Sequence, residues 1–158
     1  MDRKSLALMG ALGVAGLGVY LTFLWQPERQ VDLHQKHFLA ALEGRDWNRF
    51  GGFISESYSD RWGHDKKFLL KEPREIFQQF VFLSIQQQPA TIDAQGNDFR
   101  ISARLLIHGT GGPLAEFAME RVNALSKPFL FHWQRQSWKP WDWALVEIEQ
   151  PQLEVPEF

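Results

Sequence analysis

No cysteine occurs in the chain. A disulfide framework, a thiolate nucleophile and a cysteine-based metal site are therefore excluded. Missing thiols suit an oxidising compartment, although many cytosolic domains lack them too. An excess of one charge is also missing: 17 Lys and Arg stand against 19 Asp and Glu, a formal net charge of −2. Without Asp2, Arg3 and Lys4 the balance is 15 basic against 18 acidic residues. No concentrated positive field is available, so neither nucleic acid nor an anionic lipid surface is expected as a partner. The common catalytic signatures are absent as well. There is no Gly-x-Ser-x-Gly and no His-Glu-x-x-His, and the loop Gly109-Thr110-Gly111-Gly112 lacks the Lys-Ser/Thr that a phosphate cradle needs. Nothing in the sequence calls for a cofactor.

What is present is one long apolar run and many aromatic rings. From Leu6 to Trp25 about twenty residues pass without a charge, enough for a helix of roughly 30 Å, the thickness of a bilayer's hydrocarbon core. Tyr20 and Trp25 lie toward its far end, where amphipathic rings favour the membrane interface. The alternative is a cleaved signal peptide, but the run exceeds the usual apolar length of such peptides and no small-x-small cleavage site follows it. Arg3 and Lys4 precede the run, and Glu28, Arg29 and Asp32 follow it. The positive-inside bias places the N-terminus in the cytoplasm and the rest of the chain outside. Gly10, Gly13, Gly16 and Gly18, with Ala7, Ala11 and Ala15, offer small-residue faces through which such a helix can form a homodimer. The expected organisation is a cytoplasmic tail (1–5), a transmembrane helix (6–25), a linker (26–30), one domain (31–150) and an irregular tail (151–158). A chain of 158 residues leaves room for one ordinary domain beyond the anchor, and not two.

Within the domain, Val31, Leu33, Phe38, Leu39 and Leu42 fall near helical spacing, with Gly44 as a C-cap. Asp46 caps a short second helix carrying Trp47, Phe50 and Phe53, in which Gly51-Gly52 permits close packing. A third helical region spans Phe68 to Val81, with a break expected near Lys71 because Pro73 suits the first helical position. The period then changes to two. Expected strands are Phe82–Ile92, with Pro89 marking an edge or bulge, then Phe99–Ile107, Leu114–Leu125, Phe129–Gln134 and Trp141–Val146. Short Gly- and Pro-containing connections imply antiparallel pairing. The fold class is α+β: helices packed on a strongly curved antiparallel sheet.

The order helix, helix, helix and then antiparallel strands resembles the nuclear transport factor 2-like superfamily, which includes SnoaL-like polyketide cyclases and ketosteroid-isomerase-like domains. The resemblance covers Val31 to Gln150. It rests on Glu-Gly-x-Asp-Trp (Glu43 to Trp47), Tyr-Ser-Asp (Tyr58 to Asp60), Phe-His-Trp-Gln-Arg (Phe131 to Arg135) and Trp-x-Leu-Val-x-Ile (Trp143 to Ile148). It implies a cone-shaped fold with a pocket between the curled sheet and the helices, and it implies no function, because the superfamily holds enzymes, ligand binders and association modules. The Tyr and two Asp of its isomerase-type members have no match here, since Asp93 and Asp98 fall in an expected turn and Asp142 beside a hairpin.

Two functions remain. The first is a membrane-anchored, extracytoplasmic, non-catalytic module that binds a protein or a small apolar ligand. Its candidate binding residues are Trp133, Trp138, Trp141 and Trp143, for which the plainer reading is core filling and stacking at a hairpin tip. The second is a small acid–base enzyme of isomerase, dehydratase or cyclase type, with Tyr58, Asp60 and His108 as candidate catalytic groups beside Arg61, Trp62 and His64. The plainer reading there is that Asp60 and Asp65 cap turns while Tyr58 packs. His34 and His37 are three residues apart on a helix, but no third ligand stands at a diagnostic spacing, so no metal site is expected. Arg100, Arg104, Arg121 and Arg135 can form a basic stripe, with cross-strand ion pairs to Glu116, Glu120 and Glu147 as the plainer reading. An open cone holding a polar pair favours the enzyme. A cone filled by Phe and Trp favours the binding module.

Overall fold

The chain begins as two helices joined by two residues. The computed structural model describes the backbone of residues 3–153 and the side chains of residues 13–153. Helix α1 (Arg3–Leu24) coincides with the apolar run, and the side chains of that run's first seven residues, Leu6 to Leu12, lie outside the described residues. Among the described residues, no helix is long and apolar enough to cross a membrane, so the transmembrane expectation stands on hydropathy alone. Val14, Leu17, Val19 and Tyr20 are more than half exposed. Residues 26–30, expected to be a linker, mostly belong to α2 (Pro27–Glu43), which has its proline at the first turn. The joint is tied by Gln30 Nε2 donating to the Leu24 carbonyl at 2.7 Å and by the Arg29 guanidinium 4.4 Å from the Phe23 ring centre.

Helix α2 buries Val31, Gln35, Phe38 and Leu39, one stripe at helical spacing. It ends at Gly44, after which Arg45 takes a positive φ of 56°. The Arg45 amide donates to the Leu42 carbonyl and the Asp46 amide to the Ala41 carbonyl, the paired closure of a helix end. Asp46 then caps α3 (Trp47–Gly52) by accepting from the Arg49 amide at 3.1 Å. A side chain on Gly51 would meet Leu70 at 3.1 Å, so the glycine allows α4 (Lys66–Phe77) to approach. Asp65 caps α4 through the Phe68 amide. The break expected at Lys71 does not occur: α4 continues through Pro73. Its Leu69 and Leu70 pack on one core and Ile76 and Phe77 on another, and this anchorage at both ends opposes the proline's loss of a helical hydrogen bond.

The strands are β1 (Phe80–Gln87), β2 (Thr91–Gln95), β3 (Asp98–Ala103), β4 (Leu105–Gly111), β5 (Phe129–Arg135) and β6 (Trp143–Glu149). They make an antiparallel sheet in the order β2-β3-β5-β6 and a separate antiparallel pair β1-β4. Two expectations needed correction here. The single strand Phe82–Ile92 is two strands, parted at Pro89, and Asp93 and Asp98 lie within strands because the turn has shrunk to Gly96-Asn97, with Gly96 at φ +66°. The single strand Phe99–Ile107 turns at Arg104, so its halves pair in different sheets while Phe99, Ile101, Ala103, Leu105 and Ile107 all remain buried.

The third correction is Leu114–Leu125, expected as a strand and observed as helix α5 (Pro113–Asn123). Pro113 at its start, Glu116 in the first turn and Arg121 in the last favour a helix, and Ala115, Met119 and Val122 carry its buried face. Gly111, expected in a loop, ends β4. A side chain there would lie 2.4 Å from the Gln79 carbonyl and 2.7 Å from Ala115, so only glycine lets α5 close on the strand. The main core lies between α2, α3 and the four-stranded sheet; the smaller one lies between α4, α5 and the β1-β4 pair.

Candidate functional site

The cone interior is the first place to look, and the chain's own rings occupy it. Trp133 is fully buried, as are Phe38, Phe50, Phe131, Ile101 and Leu145. Trp133 sits edge-on to His34, Phe38 and Phe53 at 6.0–6.4 Å, and Trp143 edge-on to Phe99 at 5.0 Å. Edge-to-face contacts of this kind hold aromatic cores together. Buried Gln35 supplies one polar contact: the Trp133 Nε1–H donates to its Oε1 at 2.9 Å. The opposite end of that amide, Nε2, has no hydrogen-bond partner.

The candidate catalytic residues do not converge. Tyr58 is buried, and its hydroxyl makes no hydrogen bond. Burial, and then the Asp60 carboxylate, push that hydroxyl's pKa well above the usual tyrosine value, against an opposing pull from the Ile148 backbone. Asp60 organises its own loop: Oδ1 accepts from the Trp62 and His64 amides at 3.0 and 2.9 Å, while Oδ2 lies 3.1 Å from His64 Nδ1. The His64 ring stacks on Phe68 with centroids 3.6 Å apart. His108 is remote from both, exposed on β4 opposite Ser84. His34 bonds the Gln30 carbonyl and packs inward, whereas His37 is exposed. Among the described residues, no three His, Asp or Glu side chains converge as a metal ion requires.

The tryptophan quartet divides into two pairs. Trp133 and Trp143 belong to the core. Trp138 and Trp141 stand at the tip of the β5-β6 hairpin, 82% and 52% exposed, where Arg135 donates to the Trp138 and Lys139 carbonyls. The Trp141 ring lies 6.4 Å from that of Trp25, just past the end of α1. The arginines form no stripe either. Arg121 is on α5, and Arg100 sits in a cross-strand row that reads Asp93, Arg100, His132, Glu147 over the outer face of the sheet. Asp93, Arg100 and His132 of this row, with Gln95 and Asp98, border a shallow hollow of about 160 Å³.

The larger space is a groove of about 500 Å³ outside the cone, between α2 and β1. Lys36, Leu39, Ala40 and Glu43 line one wall at helical spacing, and Leu83, Ile85 and Gln87 line the other at strand spacing. Glu43 Oε2 accepts from the Ile85 amide at 2.7 Å. This site was missed in the sequence because its contacts join residues 42 apart. The only local signal is the apolar-and-charged face of α2.

No protein-family model matches the chain, and no curated protein matches it in sequence. Solved structures do match in shape. A protein of unknown function with a cystatin-like fold from Nostoc punctiforme is 11% identical, with a TM-score of 0.55 over 80% of this chain and 92% of that one. A proposed dehydratase of the nuclear transport factor 2-like family from Streptomyces avermitilis is 13% identical, with a TM-score of 0.56 over 77% and 93%. Bd1075 of Bdellovibrio bacteriovorus gives a TM-score of 0.56 at 9% identity, over 77% of this chain and 40% of that longer one. At such identities the likeness concerns the fold: an α+β arrangement of helices on antiparallel sheets, as in nuclear transport factor 2-like cones.

Proposed function

We propose that the chain is a membrane-tethered, non-catalytic binding module working at the outer face of the cytoplasmic membrane. The observation that carries this reading is the filled cone. Where an acid–base enzyme of this shape needs an open polar cavity, Trp133, Phe38, Phe50 and Phe131 are buried in the interior, and a groove of about 500 Å³ lies outside, along α2 and β1. Asp60 spends its oxygens on its own loop, and Tyr58 is buried beneath it. The tether rests on the uncharged run Leu6–Trp25 and is supported by the exposed apolar side chains of α1 and by the nearness of Trp25 to the hairpin tip.

Two measurements test the proposal. Alkaline carbonate extraction of cell membranes should leave the full-length chain in the pellet, and protease added outside should digest the domain; release into the supernatant at reduced mass removes the tether. Thermal shift with small planar aromatics and steroids should give no saturable stabilisation. A saturable shift accompanied by turnover and lost in Tyr58→Phe hands the chain to the isomerase, dehydratase or cyclase alternative.

A further inference from the structure

The groove has a particular chemistry because of how β1 is paired. In an antiparallel pair, successive residues alternate between bonding the partner strand and facing away from it. Ile85 stands opposite Ile107, and neither bonds the other. The Ile85 amide donates to Glu43, while the Ile107 amide and carbonyl both bond the Asn123 carboxamide at 2.8 Å. The Gln88 amide donates to the Arg104 carbonyl at 2.9 Å, which fixes the same register one position further on. Leu83, Ile85 and Gln87 therefore direct their backbone donors and acceptors away from β4, and these three residues line the groove. On the outer edge of β4, Asn123 plays the part of a missing strand's peptide group. On the outer edge of β1, Glu43 supplies one acceptor only, set where the carbonyl of a further strand would lie.

A second observation concerns Gln87, which belongs to the same wall. Gln87 Oε1 is buried and has no hydrogen-bond partner, and a buried acceptor left unpaired is costly.

We propose that the groove takes an extended polypeptide segment, added as a strand along the open edge of β1 with its alternate side chains resting on Leu39, Ala40 and Leu83. This deepens the binding-module reading and rests on it. Strand addition is a recurrent mode of peptide capture: main-chain bonds supply affinity and a flanking pocket supplies selectivity. A second copy of this chain fits less well, because it would bring its own α2 and its own Glu43 to the same edge. Glu43 acts as a placeholder. It shields an edge that would otherwise invite indiscriminate pairing, and it must turn aside when a ligand carbonyl takes the Ile85 amide.

The test uses full-length protein in detergent micelles, panned against a phage-displayed library of random dodecapeptides, with the recovered peptides measured by fluorescence anisotropy. Gln87→Pro removes an outward amide without touching the β1-β4 ladder, since proline is tolerated at an edge, and should weaken binding tenfold or more. Glu43→Ala removes the competitor and should tighten binding threefold or more, whereas Glu43→Gln, which can still accept, should leave it unchanged. Peptide should also slow hydrogen exchange at the Leu83 and Gln87 amides, a readout that needs no variant. Failure to recover peptides overturns the proposal, as do peptides indifferent to both Gln87→Pro and Glu43→Ala. Peptide-free dimers dissolved by Gln87→Pro overturn it too, by assigning the edge to a second copy. None of these results alters carbonate extraction or the thermal shifts, so failure here is separable from failure of the binding-module reading.

Discussion

If the cone is a packed core and not a vacated active site, its one polar contact should behave as a structural pair. Trp133 is donor-only at Nε1, so its bond of 2.9 Å fixes which end of Gln35 faces it. Trp133→Phe deletes the donor and orphans the Gln35 carbonyl, a cost of about 1–3 kcal/mol, to which the lost ring volume adds about 1 kcal/mol. Gln35→Leu orphans the indole N–H at a similar cost, reduced because the unpaired Nε2 disappears with it. In the double variant neither position leaves a buried polar group unmatched. It should therefore lose less than the sum of the singles, with a coupling of about 1–3 kcal/mol. Urea unfolding of the full-length chain in micelles, followed by far-ultraviolet circular dichroism, reads this directly, since 2 kcal/mol moves the midpoint by roughly 1 M. Additivity within about 0.5 kcal/mol would refute the reasoning, because it means water reaches both groups and the cone is open.

Three further outcomes are expected. With Tyr20→Phe as background, Tyr58 is the remaining tyrosine, and its raised pKa means no tyrosinate absorbance at 295 nm while the domain stays folded. Its stabilising contribution is complete below the unfolded value of about 10 and falls as pH rises above it, so Tyr58→Phe should flatten the alkaline loss of thermal stability; an identical pH profile would contradict this. Arg45→Gly relieves a positive φ of 56° and should raise stability by about 1 kcal/mol, whereas a lower melting temperature would mean that the arginine stem packs productively. In vesicles of brominated phosphatidylcholine, fluorescence quenching should drop when exposed Trp138 becomes Phe and hold when buried Trp133 does; equal responses would place the hairpin tip away from the interface.

The legible parts of the fold were those in which several local signals agreed. Asp46 before an aromatic-rich turn announced a helix start, and that cap is formed; Asp65, expected to cap a turn, caps α4. The final hairpin announced itself through alternating Phe131 and Trp133 and then Trp143 and Leu145. The illegible parts were those in which one pattern served two structures. Burial at every odd position from Phe99 to Ile107 continues straight through the turn at Arg104, so periodicity cannot register that the strand changes sheets, and no Gly or Pro marks the place. In Leu114–Leu125 the apolar residues fit either period, and the decisive signal was Gly112-Pro113, which serves equally as a loop and as a helix start. The candidate catalytic residues were not brought together, for another reason. Tyr58, Asp60 and His108 are chemically suitable residue types, but side-chain type carries no information about which neighbours already occupy its hydrogen bonds.

Helix α2 joins α1, the proposed tether, to the groove. Only Trp25 and Gln26 separate α1 from α2, and the joint is held by the Gln30–Leu24 bond and by Arg29 against Phe23. Helix α2 therefore follows α1 almost directly, and the residues that line the groove, Lys36 to Glu43, lie about 14–24 Å along its axis from Pro27. If α1 is the tether proposed above and the groove takes an extended segment, that segment runs within this distance of the bilayer, and the proposal then favours the juxtamembrane stretch of another membrane protein over a freely diffusing partner. Four Gly-Ser residues inserted between Gln26 and Pro27 would free α2 from α1 without touching the groove. Binding of a soluble peptide should then be unchanged, while capture of the same peptide anchored to the vesicle carrying the chain should fall several-fold, as the effective concentration set by a rigid joint is lost. Equal capture with and without the insert would mean that the joint is already loose and that α2 does not set the reach.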